Sequence, residues 1–298
     1  MASLTIGLPV YNGAKTLARA LDNMLAQTHT DFVAIISDNG STDETPAICR
    51  AYAERDGRIR YIRQPENLVW NENFRAVLML AESPYFMWMT HDDIWHPQYA
   101  ERNISRLAAD SGSVCSVSQI SYFDADGNER LSTDTGALKG GVAQRLRDYF
   151  LRMDSCGRLY GVYRTNVLKK SFPAGLRVFG ADWLIVGLTL LYGEHSEIKE
   201  VLLRREEQPA GHYFRRFGIT DRFKPAPFEI FWPLRRMHRE LRLHLSPDLW
   251  KAVQGPLRYL DLRMVALAID YRVPVLRPIL TPLRSAMAST LHRRWRLR

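Results

Sequence analysis

Cysteine is scarce in this 298-residue chain. Cys49, Cys115 and Cys156 are too few for a disulfide scaffold, and they lack metal-ligand spacing. That scarcity points to a reducing compartment. The longest mostly apolar stretches are broken by charge before about 18 residues, so a conventional spanning helix is not expected. Met1-Ala2-Ser3 runs straight into an apolar strand pattern without a basic segment, so no targeting peptide is expected either. Gly13 and Gly40 stand alone rather than in G-x-G-x-x-G, and no G-x-x-x-x-G-K-[ST] occurs. A dinucleotide fingerprint and an ordinary P-loop are thereby disfavoured. There is no internal repeat, zinc motif or RNA-binding aromatic signature.

What is present is an ordinary globular mixture, 46% apolar and 24% charged. At roughly 100–200 residues per domain, the length allows one large domain or two modest ones. The net charge of +9 is unevenly placed. Residues 1–214 carry 23 basic and 26 acidic side chains, a net of −3; residues 215–298 carry 18 and 6, a net of +12. The texture also changes near Arg216, with Pro225 and Pro227 followed by basic amphipathic segments. These shifts predict a body over 1–215 and a basic helical extension over 216–298.

The body alternates apolar runs with helical patterns. Strands are expected at Leu4–Val10, Phe32–Ser37, Ile59–Arg63 and Tyr85–Met89. Helices are expected after Gly13, over Asp43–Glu54 and over Asn71–Ala81. This alternation predicts a mostly parallel α/β sheet, which binds ligands beyond the carboxyl ends of its strands. Further on, Val114–Phe123, Gly157–Tyr163 and Ile198–Arg205 read as strands, Thr133–Gly141 as a loop and Trp183–Leu191 as a helix. Helical segments are expected over Glu229–Leu243 and Pro256–Asp270.

Polar clusters fall at the strand ends. Pro9-Val10-Tyr11-Asn12 and Asp38-Asn39-Gly40-Ser41-Thr42-Asp43 sit where strands give way to helices. An aspartate there can accept from a base N–H, and small polar residues at a helix start can meet phosphate or ribose. The local alternative is that Ser41 or Thr42 caps a helix with Asp43 in its first turn. His91-Asp92-Asp93 places adjacent carboxylates after an apolar strand, which is costly without a nearby positive charge. A divalent cation carrying a diphosphate supplies one, and oxygen ligands suit Mg²⁺ or Mn²⁺; a solvated turn is the alternative. Asp182 can be a general base or a helix N-cap. Arg204 and Arg205, with His212 beyond them, can meet a diphosphate or form a basic solvated loop. Trp70 and Trp183 can stack on a sugar or a base, or pack in the core.

Taken together, these positions resemble the inverting glycosyltransferases of the large GT-A family 2. The matching blocks are Thr5–Asn12, Ile36–Asp43, Asn67 with Asn71–Arg75, Tyr85–Pro97, Gly161–Arg164 and Gly180–Trp183, within roughly residues 3–210. The resemblance implies a GT-A fold, a Rossmann-like mixed α/β sheet, here with a C-terminal helical extension. It implies that Pro9, Tyr11, Asp38 and Asn67 line a nucleotide pocket, with Asp38 reading the pyrimidine, and the neighbouring Asn12 and Asn39 are expected there too. Asp92 is expected toward the ribose, Asp93 directly on Mg²⁺ or Mn²⁺ with His212 as a further ligand, and Asp182 as the base. Trp70, Trp183, Arg204 and Arg205 are expected near acceptor or diphosphate. Two departures are visible: His91 precedes the metal motif, and Ala181 stands where a second acidic residue is often found. No Gln-x-x-Arg-Trp sequence of the processive synthases occurs.

The implied activity is transfer of one sugar, or very few, from a UDP- or dTDP-sugar to a glycan or lipid-linked acceptor in cell-surface polysaccharide assembly. A metal-dependent nucleotidyltransferase and a catalytically inactive binding or scaffold module are the alternatives. The basic extension suggests a cytoplasmic protein peripheral on an anionic membrane surface, or a homo-oligomer. Nucleic acid is not an expected partner, because the acidic body opposes wrapping.

Overall fold

The computed structural model describes residues 2–124, 126–207 and 232–272. His212 and the tail beyond residue 272 lie outside the described residues. The first half follows the alternation read from sequence: β1 (Leu4–Val10), α1 (Ala14–Leu25), β2 (Phe32–Asp38), α2 (Thr45–Arg55), β3 (Ile59–Arg63), α3 (Trp70–Met79) and β4 (Tyr85–Trp88). All seven residues of β1 are buried, as befits a central parallel strand. Helix α1 buries Leu17, Ala20, Leu21 and Met24, the i, i+3, i+4, i+7 stripe of an amphipathic helix. Gly7 is required by close packing: a Cβ there would lie 2.5 Å from Val77 Cγ1 and 2.7 Å from Phe86 Cζ.

The second half holds β5 (Ile94–Trp95), α4 (Tyr99–Ala108), β6 (Ser113–Phe123), β7 (Glu129–Leu131), α5 (Val142–Arg152) and β8 (Val162–Arg164). It continues with α6 (Thr165–Lys170), α7 (Ala181–Thr189), β9 (Glu194–Glu206), α8 (Arg235–His244) and α9 (Pro247–Arg272). The sheet order is β3-β2-β1-β4-β8-β6-β9-β5, with β7 paired on β6. Strands β3, β2, β1 and β4 pair in parallel. β8 is antiparallel to both β4 and β6. β9 is parallel to β6 and antiparallel to β5. The mostly parallel expectation therefore holds for the first half, and β8 makes the whole sheet mixed.

Two expectations are corrected. Gly157–Tyr163 is not one strand: Gly157–Tyr160 is a 3-10 turn, and only Val162–Arg164 pairs in the sheet. The cause is Asp134, whose Oδ2 accepts the N–H groups of Asp154, Ser155 and Cys156 and curls the chain, with Cys156 at φ 56°. The final helix starts at Pro247 rather than Pro256. Ser246 Oγ accepts the Leu249 N–H and Pro247 takes the first helical position, leaving Pro256 in the interior.

The chain divides into two units that are not consecutive. One comprises Met1–Lys139, Asp154–Leu176 and Ile185–Glu207, and holds the whole sheet. Its core runs from Leu4, Ile6 and Leu8 through Met87 to Val117 and Leu203. The other comprises Gly140–Met153, Arg177–Leu184 and Gln208–Arg298. There α5 and α9 pack together, with Leu146, Phe150, Leu241, Val253 and Leu257 buried. Gly140–Met153 and Arg177–Leu184 group with the C-terminal helices through apolar packing and hydrogen bonds. Tyr149 Oη donates to the Trp183 carbonyl at 3.1 Å, and Arg263 Nη1 to the Met153 carbonyl at 2.6 Å.

Candidate active site

The loops after β1 and β2 are stapled to each other. Asn12, at φ 49°, donates its N–H to Ser41 Oγ at 2.9 Å and accepts the Thr42 N–H on Oδ1 at 2.9 Å. Gly13 N–H donates to Thr45 Oγ1 at 2.9 Å, and Ala14 N–H to Asp43 Oδ2 at 3.1 Å. Ser41 and Thr42 do not cap α2, which has no side-chain cap bond. They hold the first loop against the second. Asp43 serves both loops, since its Oδ1 also accepts the Thr45 N–H at 3.0 Å. The role of Thr45 was not legible in sequence, because its partner lies 32 residues away.

Asp38 is fully buried. Its Oδ1 accepts the Ser41 N–H at 2.8 Å, and its Oδ2 accepts the Tyr61 hydroxyl at 2.9 Å with Arg63 Nε 3.6 Å away. The Tyr61 phenol is pushed up by burial and by donating to Asp38. The carboxylate therefore braces its own turn, and the expected pyrimidine contact finds no exposed oxygen on it. Asn39, also buried, donates to Asn67 Oδ1 at 2.8 Å and accepts the Leu68 N–H at 2.9 Å. It sets the position of Asn67, which is half-buried. Pro9 is buried within β1, while Tyr11 and Asn12 are exposed beside it. The surface offered at these strand ends is therefore Tyr11, Asn12 and part of Asn67.

The bend after β4 separates its two carboxylates. Asp93 is only 2% exposed. Its Oδ2 accepts the Thr90 hydroxyl, and its Oδ1 accepts Arg205 Nε at 3.1 Å. The Arg205 guanidinium lies 4.0 Å over the Tyr160 ring. Burial pushes the Asp93 carboxyl above the usual carboxylate range, and the charge of Arg205 opposes that push. Asp92 is half-buried, and its carboxylate has no hydrogen-bond or ion-pair partner among the described residues. Its carbonyl accepts Arg19 Nη2 at 3.1 Å. His91 is held by Thr16, Nδ1 to Oγ1 at 2.9 Å, and packs close to Gly13. The direct metal role expected of Asp93 therefore meets a carboxylate already engaged on both oxygens, and the open one belongs to Asp92.

Arg204 and Arg205, expected together at a diphosphate, are separated by the alternation of β9. Arg204 pairs with Glu129 at the surface, while Arg205 turns inward to Asp93. Trp70 opens α3, 42% exposed, with its ring edge-on to Phe74 at 5.3 Å. Trp183 is buried and packs edge-on to Phe179 at 6.0 Å, so it has the core role. Asp182 is half-buried in the first turn of α7 and is not its N-cap, since Gly180 O already accepts the Leu184 N–H at 2.9 Å.

Among the described residues, no three His, Cys, Asp or Glu side chains form a metal cluster. A single open carboxylate fits a hard cation that takes the rest of its ligands from substrate phosphates and water. Mg²⁺ and Mn²⁺ bind in that way, so the donor set at Asp92 is compatible with either.

A family model described as glycosyl transferase family 2 matches residues 5–172. An uncharacterized glycosyltransferase of Rickettsia prowazekii is 34% identical over 104 residues, 35% of this chain and 31% of that protein. The chondroitin synthase of Escherichia coli is 29% identical over 125 residues, 42% of this chain and 18% of that protein. The chain thus spans less than a third of the length of either relative. Residues 1–349 of S. aureus TarS, solved in complex with UDP-GlcNAc, superpose with a TM-score of 0.57 at 14% identity, over 99% of this chain and 92% of that one. The mannosyltransferase PcManGT from Pyrobaculum calidifontis, solved with GDP-Man and Mn²⁺, gives 0.52 at 17% identity, over 98% and 86%. At these identities the likeness concerns the fold.

Proposed function

This chain belongs to glycosyl transferase family 2, and we propose that it moves a single sugar, with inversion, from a UDP- or dTDP-linked donor to a glycan or lipid-linked acceptor in cell-surface polysaccharide assembly. The observation that carries the reading is the bend after β4. It offers one open carboxylate, Asp92, beside a second that is locked into the fold. TarS with UDP-GlcNAc and PcManGT with GDP-Man and Mn²⁺ support a nucleotide-sugar donor, and TarS is the one of the two that holds a uridine nucleotide.

In this reading Tyr11, Asn12 and Asn67 line the nucleotide, while Pro9, Asp38 and Asn39 shape the loops that carry them. Asp92 takes the metal position that the sequence alone suggested for Asp93. A bound Mg²⁺ or Mn²⁺ would neutralise charge on the leaving diphosphate. Asp182 accepts the proton of the acceptor hydroxyl. The acceptor oxygen bonds to the anomeric carbon as the bond from that carbon to the diphosphate oxygen breaks. One displacement inverts the centre and needs no covalent enzyme intermediate.

A panel of UDP- and dTDP-sugars with Mg²⁺ or Mn²⁺ tests the activity. Release of nucleoside diphosphate supports glycosyl transfer, and release of pyrophosphate supports a nucleotidyltransferase. Full pathway activity in cells carrying D92N or D182N would favour a scaffold. Among the described residues, no helix is long and apolar enough to cross a membrane. The anionic-surface reading rests on α8, which exposes Arg239, Arg242 and the 75% exposed Leu243. Flotation of the full chain with vesicles containing anionic lipid, against the Arg239→Glu/Arg242→Glu double variant, tests it. Equal recovery of both in the soluble fraction at low salt would end that reading.

A further inference from the structure

Asp182 follows a turn that suits only glycine. Gly180 has φ +71°, and a Cβ on it would lie 3.0 Å from Trp183 Cε3, 3.4 Å from Leu234 Cδ2 and 3.4 Å from Met237 Sδ. The last two residues come from the C-terminal extension. Leu234 immediately precedes α8, Met237 lies in its first turn, and both are fully buried. On the other side of Asp182, the Trp183 carbonyl accepts the Tyr149 hydroxyl and the Trp183 ring packs on Phe179. Tyr149 belongs to α5, whose end is tied to α9 by Arg263. Both neighbours of Asp182's turn, at 180 and at 183, are therefore set by one helical unit.

We propose that the C-terminal helices form a positioning frame for Asp182, so that the extension sets the base and is not a detachable anchor. The inference rests on the reading of Asp182 as the base. Its physical content is preorganisation. A proton acceptor must be held near its productive geometry, and a misplacement of about 1 Å can cost on the order of a hundredfold in rate. Met237 fills the space beneath the Gly180 turn, and Tyr149 fixes the carbonyl one residue after Asp182. Leu234, Met237 and Tyr149 are positioning residues, since each acts through the turn.

The test uses the full chain with Met237→Ala, Gly180→Ala and Tyr149→Phe, the conservative Met237→Leu, and D182N as reference. Three quantities are read: UDP binding with Mn²⁺, amide exchange along residues 177–189, and UDP release from the UDP-sugar that the donor panel identifies. M237A and G180A are expected to lose at least tenfold in kcat, with KM for the donor and the stoichiometry of bound UDP unchanged. Amides of residues 181–184 should exchange faster while those of β1 and β2 do not, and M237L should restore the rate. Y149F removes a single oxygen and carries the test if M237A does not fold; a fall of about threefold or more is expected. Variants that loosen residues 181–184 at unchanged kcat would overturn the frame, as would a loss of UDP sites in step with kcat. D182N at wild-type turnover would instead refute the base assignment itself.

Discussion

The pairing of Asp93 with Arg205 makes a quantitative demand. Replacing Arg205 with methionine keeps an apolar stem over Tyr160 but leaves a carboxylate that is 2% exposed, with Thr90 as its remaining hydrogen-bond partner among the described residues. Removing one member of a buried ion pair costs about 3–5 kcal/mol, whereas replacing both members by neutral groups is often close to neutral. R205M is therefore expected to lose about 3–5 kcal/mol in urea unfolding. At about 2–4 °C per kcal/mol for a domain of this size, that is a fall in Tm of roughly 6–20 °C. D93N should fall at the lower end, because the Arg205 side chain keeps 16% exposure and some water. The R205M/D93N double variant should recover most of the loss, and the cycle gives the coupling. The same proteins are then titrated with UDP and Mn²⁺. If Arg205 only holds Asp93, the double variant also recovers UDP affinity. Single variants costing under about 1 kcal/mol would refute the buried pair. A stable double variant with UDP binding weakened tenfold would put Arg205 or Asp93 at the diphosphate and its metal, and would refute the reasoning as well.

Other expectations follow from the same contacts. D92N should weaken Mn²⁺-dependent UDP binding by at least tenfold with little change in Tm, read by calorimetry, because its carboxylate has no partner among the described residues. Gly7→Ala should cost about 1–3 kcal/mol, measured by urea unfolding, since its Cβ would overlap Val77. In the C-terminal unit, burial lowers His238 to about 4 and raises Asp261 to about 7, with Nε2 and Oδ1 3.6 Å apart. Stability from the depressed histidine is lost as pH falls from about 6.5 to about 4. Stability from the raised carboxyl is lost as pH rises from about 3.8 to about 7, so the two slopes oppose each other between roughly pH 4 and 6.5. Asp261→Asn should unmask a rise of about 1.4 kcal/mol per pH unit across that window, and a flat unfolding profile would contradict it.

Much of the loop set at the strand ends was legible in sequence because its signals are local. The end of an apolar run followed by Tyr11-Asn12, Asp38-Asn39 or Asp92-Asp93 marks a strand giving way to a loop, and the structure places all three there. The mixed second half was harder to read. Short strands such as β8 carry only three residues, and the curl at residues 154–156 depends on a carboxylate 20 residues upstream.

The sequence by itself determined the order of elements in the first half, the family and the short list of acidic residues at strand ends. It could not rank those acids. Asp38, Asp92 and Asp93 look alike as letters at strand ends. What separates them is which oxygens meet water and which meet partners: Tyr61 lies 23 residues from Asp38, and Arg205 lies 112 residues from Asp93. Likewise, the +12 of the last 84 residues reads as a separate tail, yet Leu234 and Met237 pack under the turn that carries Asp182. Those assignments belong to tertiary structure, because burial and countercharge are properties of neighbours in space and not of neighbours in the chain.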